Sequence, residues 1–382
     1  MFAGEGAIMK YTHRMISSRF RAASMLFLAT VSVCFLCSCR TNQTSNTASN
    51  LGSTDLSYTD HHVSGTLCDG VTVDADIPDL SNVVSYDIVS ARLQLPNQKV
   101  IHSMKDYVFR NVPTSEIKCQ ELDEELTEYT TSDEISLGIC KSPDKPYIVF
   151  TNRKQYPNIL PHITHAIPLE QQSKKFALEK ENLAFMSQAE AVQTVEKLLT
   201  NWDIHPIDTP QVFCIDGATW YAQLDDPVPT NSPQDLDCYY MIFQTGYNNI
   251  PYTWFEYNIS SIDAPASILE VFFSKDGIVQ FNYSYANYTI ESTLQSSTSA
   301  ITLDQALSQI RNYYNELIST SDTYIHNIYF QYIPTNLTQK NVYTLVPAWI
   351  IQPSINDTSS GEVIETYLDV IAVNAISGDI IR

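Results

Sequence analysis

Apolar and polar positions along the chain change texture several times. An uncharged apolar run from about Ala22 to Leu36 follows Lys10, Arg14, Arg19 and Arg21. It is roughly 15 residues long, short of the roughly 20 a helix needs to cross a bilayer core. A basic segment ahead of such a run is the pattern of an export leader. From Arg40 to about Thr66 the residues are mainly Ser, Thr and Asn. So little apolar surface cannot offset the entropy of ordering, which predicts a flexible stalk. Periodic structure begins near Leu67. Val71, Val73, Ala75 and Ile77 alternate with polar residues up to Pro78, the period of a half-buried strand, and Ser85–Leu93 reads as a second strand. Val100, Ile101, Met104 and Val108 then recur at helical spacing after Pro96.

Two later segments repeat a pattern. Ser187-Gln188-Ala189-Glu190 is a capping box ahead of Ala191, Val192, Val195, Leu198, Leu199 and Trp202 at helical period. Thr302-Leu303-Asp304-Gln305 is another, 115 residues on, ahead of Ala306, Leu307, Ile310, Tyr314 and Leu317. Strand-like runs follow each: Gln211–Ala222, Tyr239–Thr245 and Thr253–Ile259, then Tyr324–Ile333, Val342–Ile351 and Glu365–Asn374. Asp276-Gly277 between Leu269–Lys275 and Ile278–Tyr285 predicts a tight hairpin, with Ser377-Gly378 as its counterpart. A helix can bury its stripe on one face of an antiparallel sheet. The expected fold is therefore α+β: tandem units of one helix packed on an antiparallel sheet, residues 181–295 and 296–382, preceded by a smaller α+β N-terminal region, residues 67–180.

The end of the leader adds chemistry. Leu36-Cys37-Ser38-Cys39 has the form of a lipobox, with an aliphatic residue three before and a small residue one before a cysteine. Residues 1–38 then form a signal peptide, wherever between Met1, Met9 and Met15 translation starts. Cys39 takes a diacylglycerol and residues 39–66 are the stalk. Two or three acyl chains hold stably where one is marginal, since each buried methylene adds about 0.8 kcal/mol. The expected partner of Cys39 is the lipid bilayer, and the expected location is the outer face of the cytoplasmic membrane.

Loss of residues 1–38 removes four basic residues and Glu5, moving the formal net charge from −21 to near −24. Such a surface repels phosphate backbones, so nucleic-acid partners are excluded. Asp74, Asp76 and Asp79, or the acidic run Glu121–Glu134, would be the places for loose cation capture, but no calcium-loop spacing supports a metal site. Cys68, Cys119, Cys140, Cys214 and Cys238 contain no Cys-x-x-Cys pair. Outside the cytoplasm disulfides are permitted, with Cys119–Cys140 and Cys214–Cys238 as first candidates beside buried thiols.

No nucleophile elbow, zincin helix, P-loop or dinucleotide fingerprint is present, and no cofactor motif. Ser115–Lys118 and Ser142–Lys145 have Ser-x-x-Lys spacing without the companion elements of penicillin-binding enzymes. His162 and His165 lack helical metal-ligand spacing, and His61, His62 and His205 are separate from them. Tyr247, Tyr252, Trp254 and Tyr257 around Pro251, with Tyr283 and Tyr285, are the candidate stacking surface for a glycan or peptide; covering a sheet face is the simpler role.

The order of capped Ala-containing helix, strands and a closing Asn374-Ala375-x-Ser377-Gly378 resembles PepSY-type domains, most closely over Ile301–Arg382. The mature chain is also similar to clostridial lipoproteins of unassigned activity, which share the lipobox, a Val71–Pro78-like segment and a Pro347-Ala348-Trp349-like tail. The resemblance implies a Gram-positive setting and a non-enzymatic binding or regulatory module for an envelope protein. An envelope hydrolase acting on cell-wall glycan or peptide is the alternative.

Overall fold

The computed structural model describes residues 55–122, 124–132, 134–142, 146–152, 181–222, 233–254, 266–284, 287–317, 322–357 and 364–381. In chain order the elements are β1 (Asp55–Tyr58), β2 (His62–Cys68), β3 (Val71–Asp76), β4 (Ile88–Gln94), α1 (Gln98–Val108), β5 (Lys118–Glu121), β6 (Leu126–Thr130), β7 (Ile135–Cys140) and β8 (Tyr147–Asn152). Then come α2 (Gln188–Asn201), β9 (Gln211–Ile215), α3 (Gly217–Tyr221), β10 (Cys238–Phe243), β11 (Gly246–Tyr247), β12 (Ile250–Pro251), β13 (Leu269–Ser274) and β14 (Gly277–Ser284). The last are β15 (Asn287–Gln295), α4 (Leu303–Glu316), β16 (Thr323–Gln339), β17 (Val342–Asp357), β18 (Ile364–Tyr367), β19 (Ile371–Asn374) and β20 (Ile380–Ile381).

The expected flexible stalk, residues 39–66, is overturned at its end, where β1 and most of β2 are strands of a sheet. Most local signals beyond it act as the sequence predicts. Asn97 accepts the Val100 N–H at the start of α1, and Val100, Ile101, Met104 and Val108 are its buried stripe. Both capping boxes form, at Ser187/Glu190 and Thr302/Gln305. The Asp276-Gly277 hairpin also forms, and Gly277 sits at φ +102°. Any Cβ there would lie 2.6 Å from the Tyr107 hydroxyl, which accepts the Ile278 N–H at 2.9 Å. Arg110 lies over the Tyr107 ring and donates to the Asp276 carbonyl at 2.7 Å, so the end of α1 clasps the turn. The expected strand Gln211–Ala222 stops at Ile215 instead. Asp216 accepts from the Thr219 N–H and hydroxyl, turning the following residues into α3.

The pairing of the strands overturns the tandem α+β arrangement. The described chain is mainly β-sheet, in three sheets, not a series of helix-on-sheet units. A ten-stranded sheet runs β1-β2-β3-β16-β17-β19-β20, with β4 between β15 and β17 and with β18 on β17. An eight-stranded sheet runs β5-β6-β7-β8-β14-β13-β10-β9, and β11 pairs only with β12. The N-terminal strands are therefore part of the C-terminal sheet: β3 pairs parallel with β16 through Val71↔Thr323 and Val73↔Ile325, and β4 pairs with β17 through Val89↔Leu345. Period along a chain reports which face of a strand is buried but not which strand lies beside it, and that is why the sequence misled here. The β16–β17 hairpin, with strands of 17 and 16 residues, supplies ladder for strands from both chain ends.

Each large sheet has its own core. Val63, Val73, Val89, Ala91, Leu345 and Trp349 form one with Ala306, Leu307 and Ile310 of α4. Leu137, Ile148, Met241, Val271 and Phe281 form the other, beneath Met104 of α1 and Ala191, Val195 and Leu199 of α2. The segment β11–β12 stitches them. Ile250 and Tyr252 enter the first core, the Thr253 N–H donates to the Tyr332 carbonyl at 2.9 Å, and Asn248 donates to Ser85 Oγ at 2.8 Å. Asn248 and Asn249 take the left-handed turn there, at φ 51° and 61°, which Asn tolerates. Asp87 gathers the seam, accepting from Ser296 and Ser85 through its carboxylate and from Tyr332 through its carbonyl.

Tyr288 packs edge-on against Tyr252 and Tyr343 in this region, and its buried hydroxyl has no hydrogen-bond partner among the described residues. A buried hydroxyl left unpaired costs about 1–3 kcal/mol. Tyr288→Phe keeps the ring and removes the cost, so thermal unfolding is expected at the same or a higher temperature. A stability loss above about 1 kcal/mol would show that the hydroxyl has a partner after all.

Candidate functional site

Chemistry-bearing side chains gather in three places. The first is a ledge on β2 and β3. Cross-strand pairing sets His62 opposite Asp76 and Ser64 opposite Asp74, so His62 and both carboxylates share a face. His62 Nδ1 lies 2.9 Å from Asp76 Oδ1, and Nε2 lies 2.9 Å from Asp74 Oδ1. Only the imidazolium donates from both nitrogens. Its pKa is accordingly raised, chiefly by the Asp76 bond and then by Asp74. Tyr324 stacks on His326, whose Nδ1 is 3.3 Å from the Asp74 carbonyl. Asp79 is held by the Ser81 N–H, which lowers its pKa. Among the described residues no group of three or more His, Cys, Asp or Glu has the geometry to hold a metal.

The second place lies on the face of the eight-stranded sheet away from α1 and α2. Tyr240 is stacked between Phe213 and Phe272 and donates to Glu270, a carboxylate only 1% exposed. Asn282 donates to the other oxygen of Glu270 at 2.9 Å. Burial, and then the Glu270 charge, push the Tyr240 hydroxyl far above its ordinary range, so it remains a donor. A charged residue inside the apolar run Leu269–Ser274 was the sequence signal for this buried pair.

The third is a groove of about 750 Å³ between α2 and β9. Gln188, Val192 and Glu196, spaced four apart, give it one helical stripe next to the core stripe Ala191, Val195 and Leu199. Val192 and Val212 pack against the core beneath it, and Pro210 is buried. The titratable groups of the lining are Glu181 and Glu196, with no Lys, Arg or His.

The fold has a solved counterpart. A crystal structure at 1.45 Å of an uncharacterized protein from Eubacterium rectale ATCC 33656 superposes with a TM-score of 0.64 at 15% identity, covering 84% of this chain and 93% of that one. At that identity the likeness carries the fold alone. No family model and no curated protein matches the sequence.

The residues expected to form one aromatic surface are dispersed. Tyr252 is 7% exposed in the core of the ten-stranded sheet, with half-buried Tyr247 near Tyr332, and Tyr283 is 1% exposed in the core of the other sheet. Trp254 packs edge-on against Tyr329 at 5.4 Å. Tyr257, Tyr285 and Cys39 lie outside the described residues, as do His162, His165 and Lys145. Ser115 and Lys118 are exposed, and His205 faces Asp203 at 3.2 Å.

The two cysteine pairings do not fit this geometry. Strand β6 lies between Cys119 on β5 and Cys140 on β7. Two strand spacings are about 9.6 Å, beyond the roughly 7 Å limit of a disulfide. Cys214 and Cys238 are on adjacent strands but one register step apart, so Cys214 enters the core beneath α2 while Cys238 joins Ile215 and Phe272 on the opposite face.

The ledge gives a pH dependence of fixed sign. Raising the folded-state pKa of His62 above its unfolded value of 6.5 adds stability that is present below pH 6.5 and is lost as pH rises through the folded pKa. An NMR titration should show His62 titrating above 6.5, and Asp76→Asn should lower that midpoint. A midpoint at or below 6.5, unmoved by the substitution, would contradict the two-carboxylate clamp.

Proposed function

We propose that this chain is an extracytoplasmic lipoprotein, held to the outer face of the membrane by acylated Cys39, that binds an envelope protein and does no chemistry of its own. The observation that carries this reading is the groove beside α2, whose apolar base and two carboxylates suit recognition more than catalysis. It holds no nucleophile paired with a base, and its Ser187 side chain is engaged in the capping box. Resemblance to PepSY-type domains supports the same role, since such domains modulate exported enzymes and membrane sensors. The leader and Cys39 supply the address. No described helix is long and apolar enough to cross a membrane.

Anchoring and partnership are tested together. Mass spectrometry of protein from cells is expected to find an N-terminal Cys39 carrying diacylglycerol, and Cys39→Ser is expected to abolish this modification. Mild cross-linking of intact cells should trap a discrete complex with one envelope protein. An unacylated chain that retains Met1 in the cytosol, or native chain recovered only alone, would count against the reading.

A further inference from the structure

We infer that the groove between α2 and β9 takes an extended peptide segment bearing Lys or Arg. The inference rests on the binding-module reading above and names the class of partner. The volume, about 750 Å³, falls within the roughly 300–1,000 Å³ of ordinary ligand sites. From Gln188 to Glu196 the helix rises about 12 Å, at about 1.5 Å per residue. An extended chain covers that length in about four residues at roughly 3.3 Å each. The occupant is therefore short and linear, lying along the stripe of Gln188, Val192 and Glu196 on one side and Thr209–Val212 on the other.

Charge selects among such segments. Glu181 and Glu196 line the groove and Glu196 is half-buried, with no cation among the described lining residues to neutralise either carboxylate. Glu190, six residues before Glu196 on the same helix, is engaged with Ser187, which leaves the two lining carboxylates to meet the ligand. The chain's net charge of −21 extends the same potential over the approach. A cationic side chain placed near Val192 and Val212 would rest its methylenes on them while its head reaches a carboxylate, as Lys and Arg stems do on apolar surface. An acidic segment meets like charge and is rejected.

The test uses the whole mature chain in uncharged detergent and a fluorescein-labelled Lys-Val-Lys-Val-Lys-Val peptide, followed by anisotropy, with Glu-Val-Glu-Val-Glu-Val as the control. Saturable binding of the first peptide and none of the second is expected. The pair Glu181→Lys and Glu196→Lys should weaken binding at least tenfold. The same change of net charge made at exposed Asp55 and Asp379 should leave affinity within twofold. No binding to the native chain, equal weakening by both pairs, or no weakening by the groove pair would each overturn the assignment. Cells carrying the groove pair separate the two levels. A cross-linked complex that persists there leaves the binding-module reading standing and removes the groove from it. Absence of a complex even with the native chain removes the reading itself.

Discussion

The β16–β17 hairpin is the constraint on which the rest of the structure depends. Its strands are about three times the usual length, and together they supply ladder to β3, β4, β18 and β19. The residues 55–94 and 287–381 thus form one sheet, and the eight-stranded sheet of residues 118–284 is set between the two halves of its neighbour's sequence. Pairing across so many residues carries a loop-closure cost that grows slowly with length, and the ladder, once formed, repays it with many hydrogen bonds and buried side chains. A chain built this way completes its ten-stranded sheet only after its last strands are available.

Position within that frame explains what each polar cluster can do. The His62 ledge lies on the exposed face of β2 and β3, near one edge of the ten-stranded sheet, where a titrating imidazole changes the hold of β2 on β3 from the side opposite the core. The Tyr240–Glu270 pair is buried among aromatic rings and ties β10 to β13 through a side-chain hydrogen bond. The groove beside α2 differs from both, because its carboxylates face no cation among the described lining residues while its base is anchored in the core.

Much of this could be read from the sequence at the level of single elements. The caps at Ser187 and Thr302, the Val71–Asp76 strand, the buried stripe of α1 and the Asp276-Gly277 turn follow from local rules, because the interactions that form them lie within a few residues. Strand partnership was not legible: Val71 and Thr323 are neighbours through a ladder that leaves no periodic trace. The aromatic residues around Pro251 misled for a related reason, since Tyr252 and Tyr283 read alike in sequence yet serve two different cores. His62, Asp74 and Asp76 were visible as separate residues, and only the β2–β3 register brings them together. The groove stripe at Gln188, Val192 and Glu196 had a helical spacing, but no sequence sign that it would line a groove among the described residues.

Hydrogen–deuterium exchange under native conditions tests the shared sheet most directly. If β3 is built into the ladder of β16, the amide of Thr72 exchanges only through the same large opening that releases Thr323 and Ile325, with matching free energies and matching loss on added denaturant. Exchange of Thr72 through a separate, much cheaper opening, while β16 and β17 stay protected, would contradict the account.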